Sequence, residues 1–244
     1  MPLDIPDTGA DEKEKNELVL SFIAVRRFVG IIGVLLPFLL ILYSLMIDGS
    51  GPKRTISSYF YSGGREILVG SLFGLGVFLY AYKGFSKDTR QPSDKLISRA
   101  AAICAVGIAF FPMSFANSDA TVKPVPTWMQ SIFGEGLCYA LHGASALIFF
   151  ACLATFCLVN FQRHKPGSEP DPEKKVRNGV FTLLGCVIIL ATIGFLVGSF
   201  MKFENAFVFW MESIAVWAFG ISWLIKGEAM EKALGPIYRM RGAR

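Results

Sequence analysis

A chain of 244 residues that is 53% apolar and 14% aromatic, with only 18% charged residues, is too hydrophobic for an ordinary soluble domain. The charges fall in clusters, and the apolar runs between them are roughly 20 residues long, enough for a helix to cross a ~30 Å hydrocarbon core. The net charge of +5 sits in the segments between those runs, which removes nucleic-acid binding from the candidate functions.

Residues 1–27 carry no basic segment leading directly into a short apolar stretch, so they do not read as a cleaved signal peptide but as a polar arm. Six apolar runs follow, at 28–47, 67–82, 96–116, 132–160, 180–200 and 206–225, and a basic tail occupies 227–244. None of the runs alternates with period two, so a barrel is excluded and an all-α, six-span helical bundle over 28–226 is expected.

Lys and Arg set the orientation, because cytoplasmic loops hold an excess of them. Counting the arm, the loops after the second and fourth spans and the C-terminal segment from Lys226, 18 basic residues fall on one face, against 5 in the loops of the other. Both termini are therefore placed inside, in a multi-pass protein expected in a bacterial inner membrane. Within the runs, Pro37 and Pro112 are expected to kink the first and third spans. Gly70-x-x-x-Gly74 and Gly194-x-x-x-Gly198 have the small-residue spacing that lets helix backbones approach closely.

Polar residues inside the runs are few. The second, fourth and sixth spans each carry a glutamate near the outer end, followed seven residues later by a ring and eight later by glycine. The sets are Glu66 with Phe73 and Gly74, Glu135 with His142 and Gly143, and Glu212 with Phe219 and Gly220. Seven residues is about two helical turns, so carboxylate and ring share a face, as in a threefold repeated hairpin. A carboxylate at a helix N-terminus is favoured by the macrodipole, which is the simpler reading of Glu66. Glu212 follows five apolar or aromatic residues, Phe207 to Met211, and an ionisable group at that depth is costly unless paired.

His142 lies deep in the fourth run, where both ring nitrogens require partners. A hydrogen-bonded packing role and a functional pair with Glu212 both fit it. The first outer loop holds Ser57, Ser58, Tyr59, Tyr61 and Arg65, preceded by Lys53 and Arg54. Its tyrosines read either as interfacial anchors or as part of a lid over an outer-leaflet pocket, with the basic side chains available to a phosphate. The loop contains no nucleophile elbow and no nucleotide-binding glycine pattern. The five cysteines lie inside apolar runs without a metal-ligand spacing, so no metal and no cofactor are expected.

Three places together resemble the FRAG/DRAM/SFK group of six-span membrane proteins and its bacterial relatives. Thr55-Ile56-Ser57 shortly before Arg65-Glu66 is similar to that group's Pro-x-Ile-Ser loop and acidic opening of the second helix. Leu141-His142-Gly143-Ala144 leading to Phe149 resembles its histidine-containing fourth helix, and Met211-Glu212-Ser213 with Phe219 and Trp223 its last helix. The chain departs from the pattern at Ser58-Tyr59-Phe60, where an Asp-x-Gly turn is usual, and at Ser213, where tryptophan follows the glutamate. The resemblance implies a lipid-related role.

The expected function is therefore lipid handling or lipid sensing through a pocket in the outer half of the bundle, with membrane lipids as partners. Its candidate residues are Ser57, Ser58, Tyr59, Tyr61, Arg65, Glu66, Glu135, His142 and Glu212. A catalytic version would use His142 as general base, Glu212 to orient it and Ser57 or Ser58 as nucleophile, and the sequence leaves open whether the protein is an enzyme. A small permease with a His/Glu relay, and a scaffold that assembles with itself or another membrane protein, are the alternatives.

Overall fold

In the computed structural model the described backbone covers residues 8–82, 84, 92–118, 125–163, 171–203 and 205–241, with side chains described from residue 23 to 228 within those ranges except 117. Six α-helices account for most of it: α1 (Thr8–Tyr43), α2 (Arg65–Ala81), α3 (Asp94–Phe110), α4 (Trp128–Thr155), α5 (Pro172–Phe200) and α6 (Phe207–Arg241). Among the described residues there is no β-strand. The arm expected at 1–27 is helical from Thr8 onward, and the tail is helical to Arg241.

Among the described residues, four helices are long and apolar enough to cross a membrane, over Ile23–Asp48, Trp128–Asn160, Pro172–Phe200 and Phe207–Glu228. The remaining two, α2 and α3, have 17 residues each, or about 25 Å of helix, less than a full ~30 Å core. Large apolar side chains face outward on every side, among them Phe38 on α1, Val77 on α2, Ile103 on α3, Leu190 on α5 and Ile221 on α6. In water so extensive an apolar surface would drive aggregation; in lipid it is the solvated face.

The third run is shorter than expected. Proline disfavours the helical region for the residue before it, and Phe111 adopts φ −95°, ψ 104°. Pro112 therefore ends α3 at Phe110 instead of kinking it, and residues 111–116 leave the helix. Pro37 lies inside α1, which continues through it. Helix α4 begins with a capping box between Thr127 and Gln130 and is broken at Gly134, whose φ of 77° is open to glycine at little cost.

Each helix packs against its neighbours in sequence, and α6 packs against α1, so the six close into a ring; α4 and α6 touch only slightly across it. The α1–α6 seam brings backbone against backbone. A Cβ built on Gly220 would lie 2.8 Å from the Gly30 carbonyl oxygen and 2.8 Å from the Val34 nitrogen. The Trp217 indole N–H donates to the Val34 carbonyl (3.1 Å) on the same seam. Of the two glycine pairs singled out in the sequence, Gly194 and Gly198 do pack closely, on Met211 and Phe207 of α6. Gly70 has open space beside it, whereas a Cβ on Gly74 would lie 3.3 Å from the Ile32 side chain of α1, so only the second glycine of that pair sits at a helix contact.

The end of the ring away from the first loop is polar inside. Arg26, only 2% exposed, donates to the Tyr82 hydroxyl (2.9 Å), which donates to Asp94 (3.1 Å). Asn160 donates to Asp94 (2.7 Å), and Lys226 donates to the Phe161 carbonyl (2.7 Å). Above this layer Tyr82, Phe156, Phe161, Phe219 and Trp223 meet edge to face. Tying helix ends together through charged hydrogen bonds is strong where water is scarce.

Candidate functional site

The loop between α1 and α2 contains a short 3-10 turn, Ser57–Tyr61, and is held from several sides. On α6, the Phe209 amide donates to the Arg54 carbonyl (2.8 Å), and Glu212 accepts the Ile56 amide on Oε2 (2.6 Å). Toward the segment after α3, the Tyr61 hydroxyl donates to the Met113 carbonyl (2.6 Å) while accepting from Gln130 of α4 (3.3 Å). Burial pushes the Tyr61 phenol above its ordinary range, an effect the Gln130 contact partly offsets, so it stays protonated and donating. Toward α1, the Tyr59 and Ser44 hydroxyls share a hydrogen bond.

His142 reaches this loop from α4. It is buried, with 8% exposure, eight residues beyond the break at Gly134 and so about 12 Å along the helix. Its Nδ1 lies 2.7 Å from the Phe111 carbonyl oxygen, and its Nε2 lies 3.0 Å from Ser57 Oγ. A carbonyl can only accept, so Nδ1 carries a proton, and in the neutral imidazole Nε2 is then the acceptor. The Ser57 hydroxyl then donates to Nε2. Pro112 makes this arrangement available, because the extended conformation it imposes on Phe111 ends the helix and turns that carbonyl away from the helical ladder.

Ser57 and Glu212 line one cavity of about 40 Å³ whose other walls are apolar, including Leu36, Leu68, Leu72, Phe149 and Phe219. One water needs roughly 10–15 Å³ on this scale, so the space admits a few water-sized groups. The surroundings are apolar on almost every side, and polar chemistry is confined to one wall.

Ser57, His142 and Glu212 are thus brought to one place, but not in the roles expected of them. Glu212 does not orient His142; it holds the Ile56 amide, and the Phe111 carbonyl orients the imidazole. A direct His142–Glu212 relay is absent from the described hydrogen bonds, since each side chain bonds a different, adjacent residue of the loop. Ser58 is buried and bonds Thr55 (2.9 Å) and Met113, so it anchors the turn. Tyr59 is fully buried and not an interfacial anchor facing lipid.

The remaining candidates lie apart from the cavity. Arg65 and Glu66, in the first turn of α2, are exposed, with the Arg65 guanidinium over the Phe60 ring (4.2 Å). Glu135 is exposed just after the Gly134 break. Of the three glutamates that share a sequence spacing, only Glu212 points into the ring. The ring partners differ likewise, with Phe73 40% exposed and Phe219 fully buried. The sequence offered no mark for Phe111 and Met113, which act through backbone carbonyls, apart from the neighbouring Pro112.

The fold and site define an integral membrane helical protein with a mostly apolar cavity that carries polar groups on one wall. No family model, no curated protein and no solved structure matches the chain.

Proposed function

We propose that this six-span protein, with both ends inside, handles lipid in the outer half of the bundle, taking part of an outer-leaflet lipid into the cavity beside Ser57, His142 and Glu212. One observation carries the reading: a histidine and a glutamate from two different helices converge on adjacent residues of one loop, at the wall of an otherwise apolar cavity. Polar groups at such depth are costly and favour a use for them beyond packing. The apolar walls suit an acyl chain, and the hydroxyl, imidazole and carboxyl groups suit its ester or headgroup. The resemblance to the FRAG/DRAM/SFK group points the same way, and a bacterial inner membrane is the setting it suggests.

Replacing His142 and Glu212 by alanine in the cell is the test. We expect an altered membrane lipid profile, and less lipid retained by the purified protein, while the variants still insert. An unchanged profile with unchanged retained lipid, from protein that inserts normally, would overturn the reading.

A further inference from the structure

The hydroxyl–imidazole pair is more specific than lipid binding requires. A serine meant only to cap a polar group could point its proton anywhere, yet Ser57 donates to an imidazole nitrogen whose tautomer the Phe111 carbonyl has already set. The loop that carries it is fixed on α6 through Arg54 and Ile56 and beyond α3 through Tyr61, so the hydroxyl is held in place before any ligand arrives. Ser57 also lines the cavity, whereas Ser58, the neighbouring hydroxyl, is turned into the turn's own hydrogen bonds. A positioned nucleophile that lines an apolar space, and behind it a base with its second nitrogen oriented, are parts of an acyl-transfer site.

We infer that Ser57 is the nucleophile, and His142 the general base, of a lipid-ester hydrolase whose substrate is a long-chain carboxylic ester. The inference rests on the lipid-handling reading. A cavity of about 40 Å³ takes the ester group and its first methylenes, not a whole lipid, so the rest of the substrate lies outside it. Ser57 Oγ attacks the ester carbonyl carbon, and its proton passes to His142 Nε2 as the Oγ–C bond forms. The tetrahedral intermediate collapses by breaking the carbon–oxygen bond to the alcohol, which leaves with the proton from Nε2. Water then attacks the acyl-serine, giving a proton to Nε2; Ser57 departs with that proton, and the fatty acid is released. The Phe111 carbonyl holds Nδ1–H throughout, as an acceptor that orients the imidazolium with less charge stabilisation than a carboxylate would supply. Glu212 is a positioning residue, acting through the Ile56 amide.

The test uses the full chain in nanodiscs with a long-chain alkyl fluorophosphonate, from which an activated serine displaces fluoride. The expected result is an adduct on Ser57, identified by peptide mass spectrometry, that is absent in Ser57→Ala. In His142→Asn, whose amide can still donate to the Phe111 carbonyl but which has no Nε2, labelling should slow by about 100-fold or more. The wild-type labelling rate should rise with pH to a plateau as one group loses its proton, and this dependence should disappear in His142→Asn. If His142→Asn does not fold, the Ser57→Ala comparison and the wild-type pH profile still decide the matter. No adduct on Ser57 under conditions that label a serine hydrolase, or undiminished labelling of folded His142→Asn, would overturn the inference. Co-purified lipid is quantified on the same samples: lipid retained without a Ser57 adduct removes the hydrolase and leaves the binding reading standing.

Discussion

At the scale of single residues, the consequential feature is that a buried carboxylate supports a backbone amide. Ile56 is 7% exposed, and its N–H has Glu212 as its acceptor. Replacing Glu212 by alanine leaves that amide unpaired, at a cost of about 1–3 kcal/mol, whereas glutamine keeps an acceptor in the same place. Thermal unfolding in nanodiscs should therefore show Glu212→Ala well below wild type and Glu212→Gln near it; equal losses would mean that the charge, not the acceptor, matters. Tyr61 makes a related point about pH. Its phenol is raised by burial, so the unfolded chain ionises first, and the support it gives the loop is complete below the ordinary phenol range and lost as pH climbs beyond it.

At the scale of elements, two local rules place the site. Pro112 ends α3 and frees the Phe111 carbonyl that orients His142, and the glycine at 134 breaks α4 between Gln130, which bonds Tyr61, and His142, which bonds Ser57. The α1–α6 seam determines where Glu212 sits, because a single residue on α6, Gly220, lies against the Gly30 carbonyl and the Val34 amide. Both neighbours are backbone atoms and cannot rotate aside. Gly220→Ala should therefore push the helices apart and cost about 1–3 kcal/mol, as overpacking does elsewhere. The loss of unfolding temperature measures this, and it should exceed that of Gly70→Ala, where a Cβ meets open space.

At the scale of the whole molecule, the proposed six-span topology with both ends inside is tested by labelling. In a cysteine-free background, a membrane-impermeant maleimide should reach Ser50→Cys and Ser118→Cys in intact cells, and Gly167→Cys only after permeabilisation. Reaction of Gly167→Cys in intact cells would reverse the charge-based orientation. Membrane residence and the positions of the helices were legible in the sequence, because the length of an apolar run is a local property and the bilayer thickness reads it directly. Ser57, His142 and Glu212 were legible as unusual polar residues, since any such group in an apolar run is costly wherever the fold puts it.

Their roles were not legible. Glu212 stood apart in sequence by its depth in an apolar run, but which group it would hold was not readable, because the rotation of each helix about its axis is set by packing against its neighbours. The partner of His142 is 85 positions away in sequence, and the other is a main-chain carbonyl that any residue could supply. The chain alone determined that this protein lives in a membrane and which side chains are expensive there. Only the closed ring of helices decided that a serine and a glutamate meet at one cavity wall, with an imidazole bonded to the serine, because long-range hydrogen-bond partners depend on how the helices pack and not on local composition.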